Sequence, residues 1–215
     1  MNYLNKIKND RMQQSVSVIR LICERDNMST KDIRNTDALA FTESLIDKYS
    51  DDVLRLCKVY LNSVSLAEDA FQETFLKAFD KAYTKRNGGN EKYWLLSIAR
   101  NVCKDMLKSS WLKRTQGLIE DENGESDYPD TSQGVYERAE NSERDSKVLS
   151  AVMSLDIKYR EVILMQYYYD MDNESISKVL NITQSAVRSR SMRAKKQLEE
   201  LLEEYRLNAG TDYEK

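Results

Sequence analysis

The sequence predicts an all-α chain of two small helical domains joined by an acidic, flexible linker. Three observations carry that prediction. The 215 residues hold six glycines and one proline, and no helix breaker falls between residues 1 and 87, 90 and 116, or 135 and 209. Apolar residues recur at spacings of three and four, and the alternation of a half-buried strand is absent. Charge is segregated: residues 117–146 hold ten acids against two bases, a net −8 in a chain of −3, which leaves +5 for the rest. Hydrophobic residues make up 40%, enough for at least one packed core.

The totals also exclude function classes. Cys23, Cys57 and Cys103 are three widely separated thiols without a CxxC pair, and the chain has no histidine. That argues against zinc sites built from thiolate and imidazole, and against Ser-His or Cys-His nucleophile pairs. No metal or cofactor is expected. A signal peptide is not evident, and nowhere do 18 apolar residues run together. A reducing cytoplasm is the expected compartment.

Taken in order, residues 1–37 read as a mobile extension, in which Val16, Ile19 and Cys23 could line a short amphipathic helix. A start at Met28 is a further expectation, tested by mass spectrometry of the native N-terminus. The first domain is expected over 38–112. Phe41, Leu45 and Tyr49, then Val53, Leu56, Cys57, Tyr60 and Leu61, hold core-facing positions, with Ser50 as a cap between two helices. Ser65-Leu66-Ala67-Glu68 has capping-box spacing. The helix after it buries Ala67, Ala70, Phe71, Phe75, Ala78 and Phe79 and shows Asp69, Gln72 and Glu73 on its other face. A loop, 85–90, leads to a helix from Glu91 to about Ser109. Trp94, Leu95, Ile98, Ala99 and Val102 are its apolar side, and Arg100, Asn101, Lys104 and Lys108 project elsewhere. Lys85, Arg86, Lys92, Arg100, Lys104, Lys108, Lys113 and Arg114 make a basic region here, interleaved with Tyr93, Trp94 and Trp111. Cations and rings together suit unpaired nucleic-acid strands. The spacing of Trp94 points to the core, whereas Tyr93 fits either role.

The linker is expected over 113–145, the second domain over 146–207 and a tail over 208–215. Val162–Met165 and Tyr167–Tyr169 could pass for a buried strand. They lie, however, in a longer helical pattern of Tyr159, Val162, Ile163, Gln166 and Tyr167. From Asn173 to Leu198 come two short helices. Ile176, Val179 and Leu180 follow a capping Asn173, the turn is Asn181-Ile182-Thr183, and Thr183 caps the second helix. On a wheel of about 100° per residue, Val187, Ala194, Leu198 and Leu201 line one side. Ser185, Ser189, Met192 and Lys196 line the other, flanked by Arg188 and Arg193. Between Thr183 and Lys196 there are five cations and no acid, with Arg190 nearest the apolar seam. This is the pattern of a helix-turn-helix whose second helix enters a DNA major groove. A solvated Arg-rich helix in a bundle is the alternative.

The segments AEDAFQETFLKAF, YWLLSIARNVCKDMLK and LDIKYREVILMQYY…ISKVLNITQSAVRSRSMRAKKQL, in that order, resemble a bacterial RNA polymerase sigma factor of the extracytoplasmic-function (ECF) group, over about 40–110 and 145–203. The resemblance implies a non-catalytic polymerase subunit with a sigma region 2-like bundle and a sigma region 4-like helix-turn-helix. It implies that Asp69, Gln72 and Glu73 dock on the β′ clamp helices of core polymerase, and that the second domain meets the β flap. It implies that Tyr93, Arg100, Asn101, Lys104 and Lys108 contact the melted minus-ten strand. Ser185, Arg188, Ser189, Met192, Arg193 and Lys196 are then implied to meet the minus-thirty-five duplex, and the acidic linker to occupy nucleic-acid space in the polymerase channels. An anti-sigma factor is an implied partner, able to hold the protein at the membrane. Three positions depart from the family pattern. Asn181 stands where Gly is usual, Ser185-Ala186 replaces Gly-Thr, and Ser191 replaces an apolar residue, which predicts looser packing of the recognition helix.

A helix-turn-helix regulator acting outside polymerase is the main rival reading, and it leaves the first domain's acidic face without a role. An enzyme on nucleic acid would need a metal-ligand cluster, a phosphate-cradling loop or a paired base, and none is evident.

Overall fold

The computed structural model describes residues 32–85, 89–115 and 143–211. The expected helix through Val16, Ile19 and Cys23, Arg86, almost all of the linker and the last four residues lie outside them, as do the side chains of Trp111, Lys113 and Arg114. Every regular element among the described residues is helical. They fall into two compact units, the first ending at Cys57 and resuming at Ser65, the second taking Lys58–Val64 and the described residues after Gly124.

α1 runs Asp32–Leu61, its last turn from Lys58 counted with the second unit, and the first unit goes on through α2, Val64–Asp80, and α3, Glu91–Thr115, with a 3-10 turn at Ala82–Thr84. The expected break at Ser50 does not occur, and α1 is continuous for 30 residues. Ser50 is buried inside it, and its hydroxyl has no hydrogen-bond partner. The apolar stripe through Leu45, Ile46, Val53 and Leu56 explains this, because it carries on across Ser50 and its burial outweighs a capping preference. Likewise α2 opens at Val64, which puts Ser65 inside the first turn and Ser63 in the capping position. Ala67, Ala70, Phe71, Phe75 and Ala78 are buried as expected, while Phe79 is half-buried. Phe71 and Phe75 meet edge to face at 5.0 Å. The buried hydroxyls of Thr42 and Thr74 bond back to the carbonyls of Ala38 and Ala70 at 2.8 and 2.6 Å, so neither lacks a partner. Cys57 and Cys103 are free thiols buried in this core. A hydrogen bond to Cys103, then burial, pushes the Cys57 thiol well above its ordinary value, so it stays protonated.

In the second unit, α4 is Glu143–Ser154, α5 Ile157–Ile163, α6 Asn173–Leu180 and α7 Gln184–Thr211. The ambiguous apolar run is helical. It includes a π turn at Leu164–Tyr168, closed by Tyr169 N–H donating to the Leu164 carbonyl at 3.2 Å. The wider turn slips the register, so Met165 is fully buried while Tyr167, expected on the inner stripe, is 66% exposed. Arg160 donates to the Leu155 carbonyl at 2.9 Å and also to that of Met153, which satisfies carbonyls where α4 ends. Leu155, Tyr159, Ile163 and Ala194 form a cluster, with Leu198 and Leu201 packed on it.

Candidate nucleic-acid interface

The helix-turn-helix is built by its caps and its turn. Asp172, one residue before the expected Asn173, caps α6: its carboxylate accepts from Ser175 N–H at 2.7 Å. That backbone bond holds the carboxyl below the ordinary carboxylate value. At the other end Asn181 takes the left-handed conformation, φ 52° and ψ 52°, so it performs the turn usually given to glycine. Thr183 Oγ1 then accepts from Ala186 N–H at 3.1 Å and caps α7.

Those anchors decide which side of α7 faces out. Val187 and Ala194 are fully buried, and Leu198 and Leu201 are partly so. Ser185, Arg188, Arg193 and Lys196 are exposed, Met192 is 68% exposed and Ser189 is intermediate. All six share one side of the helix. Arg190, placed nearest the seam, is structural: it donates to the buried carboxylate of Glu161 at 2.9 Å. Tyr60 donates its hydroxyl hydrogen to the other oxygen of that carboxylate. Ser191 is not loosely packed but buried and hydrogen-bonded to Gln166.

The first unit offers a different surface. Asn101, Lys104 and Lys108 of α3 are exposed and line a cleft of about 540 Å³ with Lys77, Asp80 and Lys81 from the α2 side. Lys77 and Lys81 were not foreseen, although their spacing of four at the end of α2 places them on one face. Tyr93 is half-buried near the start of α3, where Asn90 Oδ1 accepts its N–H at 3.2 Å. Trp94 packs inward against Phe41, ring centroids 6.1 Å apart. Arg100 departs from the expected outward projection: it is 7% exposed. It follows Leu96 by four and precedes Cys103 by three, both buried, so it lies on a core-facing stripe wider than the one anticipated. Two further cations of this region are paired, Lys92 with Asp52 at 2.9 Å and Lys85 with Glu91 at 3.2 Å.

Next to the basic cleft lies an acidic groove of about 380 Å³. Asp69, Gln72, Glu73 and Asp105 rim a floor of Leu76, Val102 and Met106. Glu73 also pairs with Lys77 at 3.4 Å. An apolar floor with carboxylates at its edge suits a helix that carries apolar and basic side chains. Among the described residues no cluster of His, Cys, Asp and Glu could hold a metal ion, and no helix is long and apolar enough to cross a membrane.

Comparison with known proteins matches Sigma-70 region 2 to residues 45–113 and Sigma-70 region 4 to residues 146–198. The ECF RNA polymerase sigma factor BldN of Streptomyces coelicolor is 30% identical over 161 residues, which is 74% of this chain and 59% of BldN. SigW of Bacillus subtilis, another ECF sigma factor, is 26% identical over 179 residues, 80% of this chain and 94% of SigW. Among solved structures, the sigma factor RpoE in complex with the anti-sigma factor NepR from Bartonella quintana matches with a TM-score of 0.60 at 22% identity, covering 76% of this chain and 97% of RpoE. CnrH in complex with the cytosolic domain of CnrY matches at 0.54 and 18% identity, covering 81% of this chain and 98% of the matched chain. The last two support the fold.

Proposed function

This chain belongs to the extracytoplasmic-function group of bacterial RNA polymerase sigma factors, non-catalytic subunits that direct polymerase to promoters, and on that premise we propose how its surfaces divide the work. The first domain, taken as 38–112, docks on core polymerase through the groove rimmed by Asp69, Gln72 and Glu73. Asn101, Lys104 and Lys108 then take the melted minus-ten strand: the amide has the donor and acceptor a base edge needs, and the lysines take phosphates. Tyr93 is placed to stack at the edge of that path. Arg100 supports α3 from within instead of touching DNA.

The second domain, 146–207, lays α7 into the minus-thirty-five major groove. Arg188, Ser189, Met192 and Arg193 face bases there, and Ser185 and Lys196 face the flanking phosphates. The linker, 113–145, and the β flap complete the engagement with polymerase. Work on promoter DNA places the protein in the cytoplasm. The matched structures RpoE–NepR and CnrH–CnrY are complexes with an anti-sigma factor and a partner's cytosolic domain, which supports an anti-sigma partner for this chain and, through it, retention at the membrane.

The observation that carries this reading is the outer face of α7, cationic and free of acids from Thr183 to Lys196, on a helix whose other side is fully engaged. The docking face is tested with Glu73→Lys, which reverses charge on the groove rim and sets two cations beside each other at 73 and 77. Affinity for core polymerase should fall by about tenfold, on the order of 1.4 kcal/mol, with helical circular dichroism unchanged. Unchanged affinity in a folded variant would remove this groove from the docking surface.

A further inference from the structure

Side chains hold α7 to its unit in two ways. Val187, Ala194, Leu198 and Leu201 do so by burial, which has no direction and tolerates a small roll of the helix. Ser191 does so by a directed bond. It lies on the inner side, 6% exposed, and its hydroxyl donates to Gln166 Oε1 at 2.6 Å. The same amide donates through Nε2 to Asn173 Oδ1 at 3.0 Å. Ser191 belongs to the second helix of the helix-turn-helix, Asn173 opens the first and Gln166 sits in the π turn before both. Three elements therefore share one amide.

The chemistry of that amide makes the arrangement specific. One end only accepts and the other only donates, so using both fixes the plane of the group. An apolar residue at 191 could not make the first of these bonds, and an apolar residue at 166 could make neither. The π turn has a part too, because its wider winding turns Tyr167 out while Gln166 stays half-buried and within reach of both partners. Arg190, the neighbour of Ser191, adds a second directed tie to the same segment through Glu161 at 2.9 Å.

We propose that the Ser191–Gln166–Asn173 relay is a positioning device that sets the roll of the recognition helix, and with it the stringency of minus-thirty-five selection. This rests on the reading of α7 as the duplex-reading helix. Met192 and Arg193 follow Ser191 directly, so any roll at 191 passes to them undiminished. A guanidinium that meets a guanine edge with two parallel bonds loses one of them when its fork is tilted, whereas its attraction to phosphate survives the tilt. The relay thus acts on discrimination more than on affinity.

The test uses holoenzyme assembled from the full chain and core polymerase, transcribing a template pool randomised over both promoter elements, with transcripts identified by sequencing. Ser191→Ala and Gln166→Leu should each relax minus-thirty-five preference by roughly three- to tenfold, since a bidentate base contact carries discrimination of that order or more. Minus-ten preference should hold at the parent level. The double variant should be no worse than the worse single one, because the two residues act through one bond. Asn173→Ala, which cuts the relay at its more exposed end, should give a smaller loss, and Asn173→Asp, which keeps the acceptor, should restore the parent. If either inner variant fails to fold, the Asn173 pair decides. Parent-like selection by Ser191→Ala or Asn173→Ala, or a loss spread equally over both elements, would overturn the relay. A parent holoenzyme that selects no sequence would instead overturn the sigma-factor reading beneath it.

Discussion

The two units differ in where they keep their polar groups. In the first, Arg100 is the buried charge, and the others are interleaved in partly exposed pairs: Lys92 with Asp52, Lys85 with Glu91, Lys77 with Glu73, and Asp80 and Asp105 inside the basic cleft. Its buried hydroxyls either bond back to their own helix, as Thr42 and Thr74 do, or find nothing, as at Ser50. In the second, polar groups tie one element to another, through Arg190–Glu161 and through Ser191, Gln166 and Asn173. The outer face of α7 carries Arg188, Arg193 and Lys196 among Ser185, Ser189 and Met192. A cleft that takes a flexible strand can use lysines, because a point charge on a mobile stem follows wherever the phosphate goes. A helix that reads a rigid duplex must itself be fixed in orientation, and directed interior bonds supply that.

The sharpest way to break this contrast is to remove one interior group from the second unit. Glu161→Gln leaves Arg190 without its counter-charge in a half-buried position, and should cost about 3 kcal/mol in urea denaturation. The same change in a surface pair of the first unit, Glu73→Gln opposite Lys77, should cost under about 1 kcal/mol. Equal costs would mean that the interior pair does no more than a surface one.

A second test asks whether rigid and mobile cations behave differently on DNA. Arg193→Ala should cost about 1–3 kcal/mol of minus-thirty-five discrimination, concentrated at one base pair. Lys104→Ala should instead weaken strand binding uniformly across sequences and reduce the salt slope by about 1. Filter binding of holoenzyme to promoter variants at several salt concentrations separates the two. A sequence-dependent loss from Lys104→Ala would show that the cleft reads bases through its lysines as well.

How far this was legible in the sequence depended on the reach of the cause. The turn and the inner face of the helix-turn-helix were readable, because a left-handed Asn181, a capping Thr183 and the stripe of Val187, Ala194 and Leu198 are all local signals. Ser50 misled because serine favours a cap wherever one is possible, and only the packing of Leu45, Ile46, Val53 and Leu56 decides that the helix runs on. Arg100 was misplaced although a signal existed. Leu96 and Cys103 continue the apolar stripe around α3 to reach it. The π turn left no mark that periodicity could register, except that Gln166 stood on an otherwise apolar face. Asp172 and Asn173 are adjacent residues of equal capping ability, and one-residue choices of that kind are settled by the backbone.

The interior of the first unit gives a third test, of opposite sign. Ser50→Ala removes a hydroxyl that has lost water and gained no partner, and puts the best helix former in the middle of α1. It should raise stability by about 1 kcal/mol, where an interior deletion in the second unit lowers it. A loss at Ser50 would show that its hydroxyl is engaged in solution and that the two interiors are alike.

The smallest effect expected is a pH dependence confined to the second unit. The Ser175 N–H holds the Asp172 carboxyl below its unfolded value, so the cap contributes most above the ordinary carboxylate range, near pH 4. The contribution is lost as pH falls through the depressed folded value, because protonation removes the charge the N–H favours. Asp172→Ala should therefore melt below the parent at pH 7, with the difference narrowing as the pH falls below about 4. Minus-ten strand binding, which depends on the other unit, should be indifferent to the substitution throughout. A gap that persists undiminished into acid would mean that the cap acts through the shape of the turn and not through its charge. The fixed orientation of α7 would then depend on uncharged bonds at both ends of α6, at Asn181 as well as Asp172.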